Sequence, residues 1–329
     1  MKKNRKKSFF NKRTERIAII TACFLVFLLI IAVIIVRLSE KPEPPAPESE
    51  APSSVEEPPE ITSTPPVEPA PADVVTTESV AFASDWQYAE FSMIHSGSAV
   101  LYHARPSISR HFTVCVNAGH GTSGGSSVKT QCHPDGTPKV TGGTTAEGET
   151  TAVAVSTGTE LLDGTSEADA NLAVALALRD RLLSEGYDVL MIRESGDVQL
   201  DNIARTLMAN HYADCHIAIH YDSTDFDKGV FFMSVPSDSG YRSMEPVASH
   251  WEEHNALGRS VVAGIKGSAG FKLFEDGEME MDLTQTSYSE VPSIDLEVGD
   301  RASDHSEEVI TRLCEGITQG INSFVRDNY

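Results

Sequence analysis

The chain has 329 residues and carries 26 Lys or Arg against 48 Asp or Glu, a formal net charge of −22. Setting aside the nine basic and one acidic residue of the first 37 leaves 17 basic and 47 acidic, a net of −30. That sign excludes nucleic acid as a partner of the remainder and disfavours adhesion to anionic lipid, because phosphate binding needs the opposite charge.

In chain order, residues 1–16 form a basic tail, with Lys or Arg at eight positions and Glu15 as the one acid. Ile17 to Val36 then runs without a charge, a Gly or a Pro. A helix of that length rises about 30 Å, the thickness of a bilayer's hydrocarbon core. The run is longer than a signal-peptide core and meets Arg37-Leu38 with no small-residue cleavage site. The expectation is an uncleaved transmembrane helix over 17–37. Its basic flank keeps the N-terminus cytoplasmic and places all that follows outside the cell membrane.

Residues 38–72 hold eleven prolines and eight glutamates and almost no large apolar side chain. Such a stretch cannot bury a core, so it reads as an extended, self-repelling linker. Globular composition begins at about Asp73 and predicts an exported domain over 73–329, with 73–110 an edge piece in which Trp86, Tyr88 and Phe91 pack.

From there strands and helices alternate. Phe112–Asn117 is a short apolar strand ending in Ala118-Gly119-His120-Gly121. Residues 122–165 are Gly/Ser/Thr-rich without a period and read as a long insertion. Glu167–Glu185 is a helix, capped by Ser166 and ended by Gly186. The spacing then predicts a strand at Tyr187–Ile192, a helix at Leu200–Tyr212 and a strand at Cys215–Ile219 ending in His220. A strand at Gly229–Val235, a helix at His254–Gly264, a strand at Pro292–Val298 and a helix at Ser306–Val325 complete the chain. This alternation implies an α/β fold: a mostly parallel twisted sheet with helices on both faces. Chemistry in such sheets collects at the carboxyl ends of the strands.

His120 and His220 each end a strand, Glu297 lies near the end of a later one, and Glu167 opens the first long helix. Two imidazoles and a carboxylate with an open position suit a catalytic zinc ion, and a further carboxylate suits a general base. No HExxH-type spacing supports this, so the residues taken singly have plainer readings. Glu167 could be a dipole-favourable acid in a first helical turn, and His220 a satisfied core histidine. Glu297 is the most informative, since a carboxylate in a buried strand costs several kcal/mol unless paired or metal-bound. His216 shares a strand face with His220 and is a possible decoy, while His103, His133, His250 and His254 read as surface or loop residues. Cys115, Cys132, Cys215 and Cys314 permit three disulfide pairings, with buried thiols the alternative, and no CxxC spacing suggests a cysteine zinc site.

VNAGHG (116–121), EADANLAVAL (167–176), GYDVLMIR (186–193), LDNIARTLMANHYADCHIAIH (200–220) and VPSIDLEVG (291–299) occur in that order. Together they resemble the zinc-dependent N-acetylmuramoyl-L-alanine amidases of the type 3 family, over a core of 112–327. The resemblance implies that His120, Glu167 and His220 bind Zn2+ and that Glu297 is the catalytic carboxylate, with Arg205 structural. It implies peptidoglycan as substrate, cut at the amide between N-acetylmuramic acid and L-alanine of the stem peptide. The rival readings are a zinc peptidase or carboxypeptidase acting on stem peptides, and a non-catalytic wall-binding or regulatory homologue. An activating protein partner is compatible with all three, and the sequence identifies none. Three departures stand out: Asn117-Ala118 where the family has Asp-Pro, Tyr221-Asp222 after His220, and Asp300 in place of an aromatic. Losing the Asp at 117 removes a group that would orient His120. The insertion at 122–165 lies between two of the implied ligands, so it is expected to border the cleft as a lid or a substrate-selecting wall.

Overall fold

The computed structural model describes residues 73–268 and 270–329. The basic tail at 1–16, the span expected at 17–37 and the linker expected at 38–72 lie outside the described residues. Among the described residues no helix is long and apolar enough to cross a membrane.

The strands are β1 (Thr76–Ala81), β2 (Ser98–His103), β3 (Thr113–Ala118), β4 (Lys129–Gln131), β5 (Thr151–Val153), β6 (Asp188–Met191), β7 (Cys215–Asp222), β8 (Val230–Ser234), β9 (Leu273–Glu280) and β10 (Ser293–Asp300). The helices are α1 (Glu167–Ser184), α2 (Asn202–Tyr212), α3 (Val247–Gly267), α4 (Thr284–Tyr288) and α5 (Glu307–Asn328). Eight strands form one sheet in the order β1-β2-β6-β3-β7-β10-β8-β9. Its centre, β6-β3-β7-β10, is parallel throughout. β1, β2 and β6 pair antiparallel at one margin, and β8 pairs antiparallel with β10 at the other. The expected α/β architecture with a mostly parallel central sheet is therefore present.

Local chemistry explains the element ends. The Ser166 hydroxyl accepts from the Asp169 amide at the start of α1, and the Asp201 carboxylate accepts from the Ala204 amide at the start of α2. Gly186, at φ 89°, turns the chain out of α1 where a Cβ would meet the Ile108 carbonyl at 2.0 Å.

Alternation along the central strands decides which face is which. Val114, Val116 and Ala118 of β3, Ile217 and Ile219 of β7, and Ile294, Leu296 and Val298 of β10 all join one core with α1, α3 and α5. The intervening residues, Asn117, His216, Ala218, His220, Asp295 and Glu297, therefore face the other way. On that second face α2 packs on Cys115, Leu190 and Ile192, and α4 contributes Tyr288 to a cluster with Ile203 and Leu207. The register aligns Asp295 with Ala218 and Glu297 with His220. A one-residue slip of β10 would turn both carboxylates into the apolar core, so the hydrophobic pattern itself fixes the register.

The structure departs from the sequence expectation in several places. The helix expected from His254 begins at Val247, and β1, β2, β4, β5, β9 and α4 are not among the expected elements. His133 and His254, read as surface or loop residues, are each 1% exposed.

Candidate metal centre and its cleft

His120 leaves β3 in the left-handed region, at φ 63°. Buried Arg205 holds this turn: its guanidinium donates to the carbonyls of Ala118 (3.2 Å) and His120 (2.6 Å), to Thr122 Oγ1 (2.9 Å) and to Asn117 Oδ1 (3.0 Å). A non-glycine residue at positive φ is strained, and strain of this kind persists where surrounding bonds over-determine it. The two glycines closest to the site owe their identity to space. A Cβ on Gly119 would lie 2.2 Å from the His220 ring, and one on Gly158 would lie 2.6 Å from the His120 ring and 2.9 Å from Glu167 Oε2.

Three side chains converge. Glu167 Oε1 is 2.7 Å from His120 Nε2 and 3.1 Å from His220 Nδ1, and the two ring nitrogens are 3.1 Å apart. These three atoms lie within 4.8 Å of one another. The other Glu167 oxygen accepts from the Thr159 amide at 2.8 Å. His120 Nδ1 faces the Ser156 carbonyl at 2.8 Å. Burial opposes ionisation of Glu167, but the two imidazoles outweigh it and hold the carboxyl well below the ordinary range. Burial also disfavours a charged His220, yet Asp295, Glu167 and Glu297 together push its pKa up to about 10. The site thus attracts positive charge strongly. Two imidazole nitrogens and one carboxylate oxygen, with His120 and Glu167 each held by a backbone partner, match the donor set of a catalytic zinc site.

Glu297 stands beside this trio on β10, 8% exposed, and its Oε2 is buried without a hydrogen-bond partner. Burial raises its pKa well above the usual carboxylate range; His220 opposes the rise, and Asp295, Glu167 and Asp222 reinforce it. A carboxylate with free lone pairs and a raised pKa is equipped to take up a proton. The four residues singled out from sequence all line one cleft of about 520 Å3.

The insertion is a wall of that cleft. Its strands β4 and β5 pair antiparallel, and Thr144, Thr145, Ser156 and Gly158 line the cleft together with Met233, Met279 and Met281. It is pinned to the rest of the domain through Asp282, whose side chain is fully buried. Asp282 accepts from Lys139 Nζ (2.7 Å), Thr141 Oγ1 (2.6 Å) and the Val140 amide (2.7 Å), and lies 3.2 Å from His133 Nε2. Burial raises the Asp282 pKa, but hydrogen bonds from His133, Lys139 and Thr141 prevail and bring it down to about 2. A free lid would lack such a tether.

The departures noted in the sequence take defined roles. Asn117 bonds Arg205 and lies 3.3 Å from His216 Nε2, while orientation of His120 falls to the Ser156 carbonyl, which side-chain motifs do not reveal. Asp222 pairs with Lys228 at 3.0 Å, and Asp300 accepts from the Lys228 and Ala302 amides at 2.8 and 2.9 Å. Both shape the loop after β7. His216 is fully buried next to Asn117 and Ser293 and is not part of the metal trio. The four described cysteines are buried free thiols.

A family model described as N-acetylmuramoyl-L-alanine amidase matches residues 114–322. No curated protein matches the chain in sequence. Among solved structures, the N-acetylmuramyl-L-alanine amidase of Mycobacterium smegmatis superposes with a TM-score of 0.55 at 16% identity, covering 67% of this chain and 99% of that one. The corresponding apo amidase of Mycobacterium abscessus gives 0.52 at 17% identity, covering 65% and 99%. At these identities the structural likenesses establish the fold.

Proposed function

The chain belongs to the N-acetylmuramoyl-L-alanine amidase family, and we propose that it cleaves its peptidoglycan amide with a zinc ion held by His120, Glu167 and His220 and with Glu297 as general base. The observation that carries this reading is the convergence of the three donor atoms within 4.8 Å beside a buried carboxylate with an unpartnered oxygen.

The chemistry that zinc supplies when bound is Lewis acidity, which polarises the amide carbonyl and makes a water acidic enough to attack near neutral pH. The protein's own residues do the rest. The Ser156 carbonyl fixes the His120 ring, and the Thr159 amide fixes Glu167. Glu297 takes a proton from the attacking water and returns it to the departing alanine nitrogen, a role its raised pKa favours. The insertion and the methionine side of the cleft flank the substrate chain and exclude bulk water.

We further propose that the 17–37 helix anchors the protein in the cell membrane, with the N-terminus cytoplasmic and the Pro/Glu-rich linker holding the catalytic domain outside. The uncharged run and its basic flank support this.

The test is zinc content and release of stem peptides from peptidoglycan, for the wild type and for Glu297→Gln. Zinc in both, with release falling about 10²- to 10⁴-fold in the variant, is the expected result. Wild-type protein without zinc overturns the metal assignment, and undiminished release by Glu297→Gln overturns the base.

A further inference from the structure

We infer that Asp295 is a positioning residue for the metal centre: its carboxylate accepts the Nε2–H of His220 and so presents Nδ1 of that ring to the cation. This rests on the zinc reading above and extends it to a residue outside the ligand set and outside the general base.

The geometry is one of opposite edges. His220 turns Nδ1 toward Glu167 at 3.1 Å and Nε2 toward Asp295 Oδ2 at 3.7 Å. Asp295 therefore lies across the imidazole from the point where the three donor atoms meet, which rules it out as a fourth donor to the same ion while the ring keeps this orientation. It stands directly beside Ala218 in the β7–β10 register, one pair before Glu297 and His220. The methyl group of Ala218 leaves the room that a larger side chain on the same face would fill. The Asp295 carboxylate lines the same cleft as the three donor residues, off the Nε2 edge of the His220 ring.

Chemical need points the same way. Asp295 Oδ1 is buried with no hydrogen-bond partner, and the ion-pair contact Asp295 makes among the described residues is with His220. A buried carboxylate oxygen without a donor is costly even on a side chain 17% exposed, so the N–H beside it has a strong acceptor waiting. The separation of 3.7 Å closes to hydrogen-bond range by a small rotation of either side chain. The two liganding histidines are thereby held in complementary ways. His120 gives Nδ1 to a backbone carbonyl and turns Nε2 to the centre, whereas His220 gives Nε2 to a carboxylate and turns Nδ1 to it. Carboxylate–histidine–metal arrangements raise ligand basicity and set the tautomer, and losing the outer partner typically weakens metal binding about 10- to 100-fold.

The experiment uses the full-length protein in detergent micelles, zinc-loaded, with 15N-labelled histidine. In the wild type the His220 Nε2 proton should resonate far downfield and exchange slowly with solvent. Asp295→Ala should shift it upfield or lose it to exchange. In competition with a chromophoric chelator the same variant should bind zinc about 10- to 100-fold more weakly, and Asp295→Glu should recover part of the loss. Zinc affinity within twofold of wild type in Asp295→Ala overturns the inference, and a raised KM alongside it would reassign Asp295 to substrate contact. If Asp295→Ala does not fold, the wild-type spectrum decides: a rapidly exchanging Nε2 proton overturns the inference. A wild type that binds no zinc overturns the metal reading as well, so the two failures are distinct.

Discussion

The backbone carbonyl of Ser156 lies 2.8 Å from Nδ1 of His120, so a residue of the 122–165 insertion orients the first side chain of the His120–Glu167–His220 trio. The insertion is thus part of the centre as well as a wall of the cleft, and its loss would disturb zinc binding before it changed substrate range.

Gly158 tests this link. It sits at φ 78°, and a Cβ there would press on both the His120 ring and Glu167 Oε2. Gly158→Ala should weaken zinc binding about 10- to 100-fold, as loss of ligand orientation does. The left-handed backbone alone costs about 1–2 kcal/mol. Isothermal titration with zinc beside a thermal melt separates the two, and unchanged affinity would contradict the role given to this turn.

Asp282→Ala should release the insertion. It leaves Lys139 and His133 without their buried partner, a loss of the kind that costs about 3–5 kcal/mol. Limited proteolysis should cut within 133–150 in the variant and spare the wild type; equal resistance would show that the tether is not what orders the wall.

Acid stability should follow two buried histidines. Burial, helped by Arg205, pushes the His216 pKa down to about 3 from 6.5. Burial, helped by His250 and His216, does the same for His254, also to about 3. Both are neutral when folded, so the unfolded chain binds the extra protons below pH 6.5. Their stabilisation is complete above that pH and drains away as pH falls toward 3, at about 1.4 kcal/mol per unit for each histidine. His216→Asn should move the midpoint of acid unfolding to lower pH, followed by circular dichroism. An unchanged midpoint would mean that His216 is not the group protonated on unfolding.

The four described cysteines should behave as separate thiols. Cys115 and Cys215 stand on adjacent strands but belong to cores on opposite faces of the sheet. Iodoacetamide should label Cys115, Cys132, Cys215 and Cys314 only after denaturation, and reductant should leave the melting temperature unchanged. A mass two units short of the fully reduced chain would reveal a disulfide and refute this.

Much of this was legible in the sequence, for identifiable reasons. α1 announces itself through Ser166 and Gly186 at its ends, and the central strands through short apolar runs bounded by loops. β9 escaped notice because LFEDGEME is an acidic margin strand with little apolar alternation. His133 and His254 were misread because their burial depends on distant partners, Asp282 and the Ser293 amide. Ser156 could not be found at all, since the group it contributes is one that every residue carries. Glu297 was found because an acid between Leu296 and Val298 contradicts its surroundings, and such a contradiction is itself a signal.

The position of β10 divides the candidate site along the chain. It inserts between β7 and β8, although both precede it in the chain. His120, Glu167 and His220 all precede the end of β7 in the chain, whereas Glu297 lies on this later strand. On the proposed roles, a chain ending before Ser293 would keep all three cation-binding groups and lack the base. Binding and hydrolysis thus rest on separate stretches of chain, and a fragment that captures the ion would leave the wall uncut.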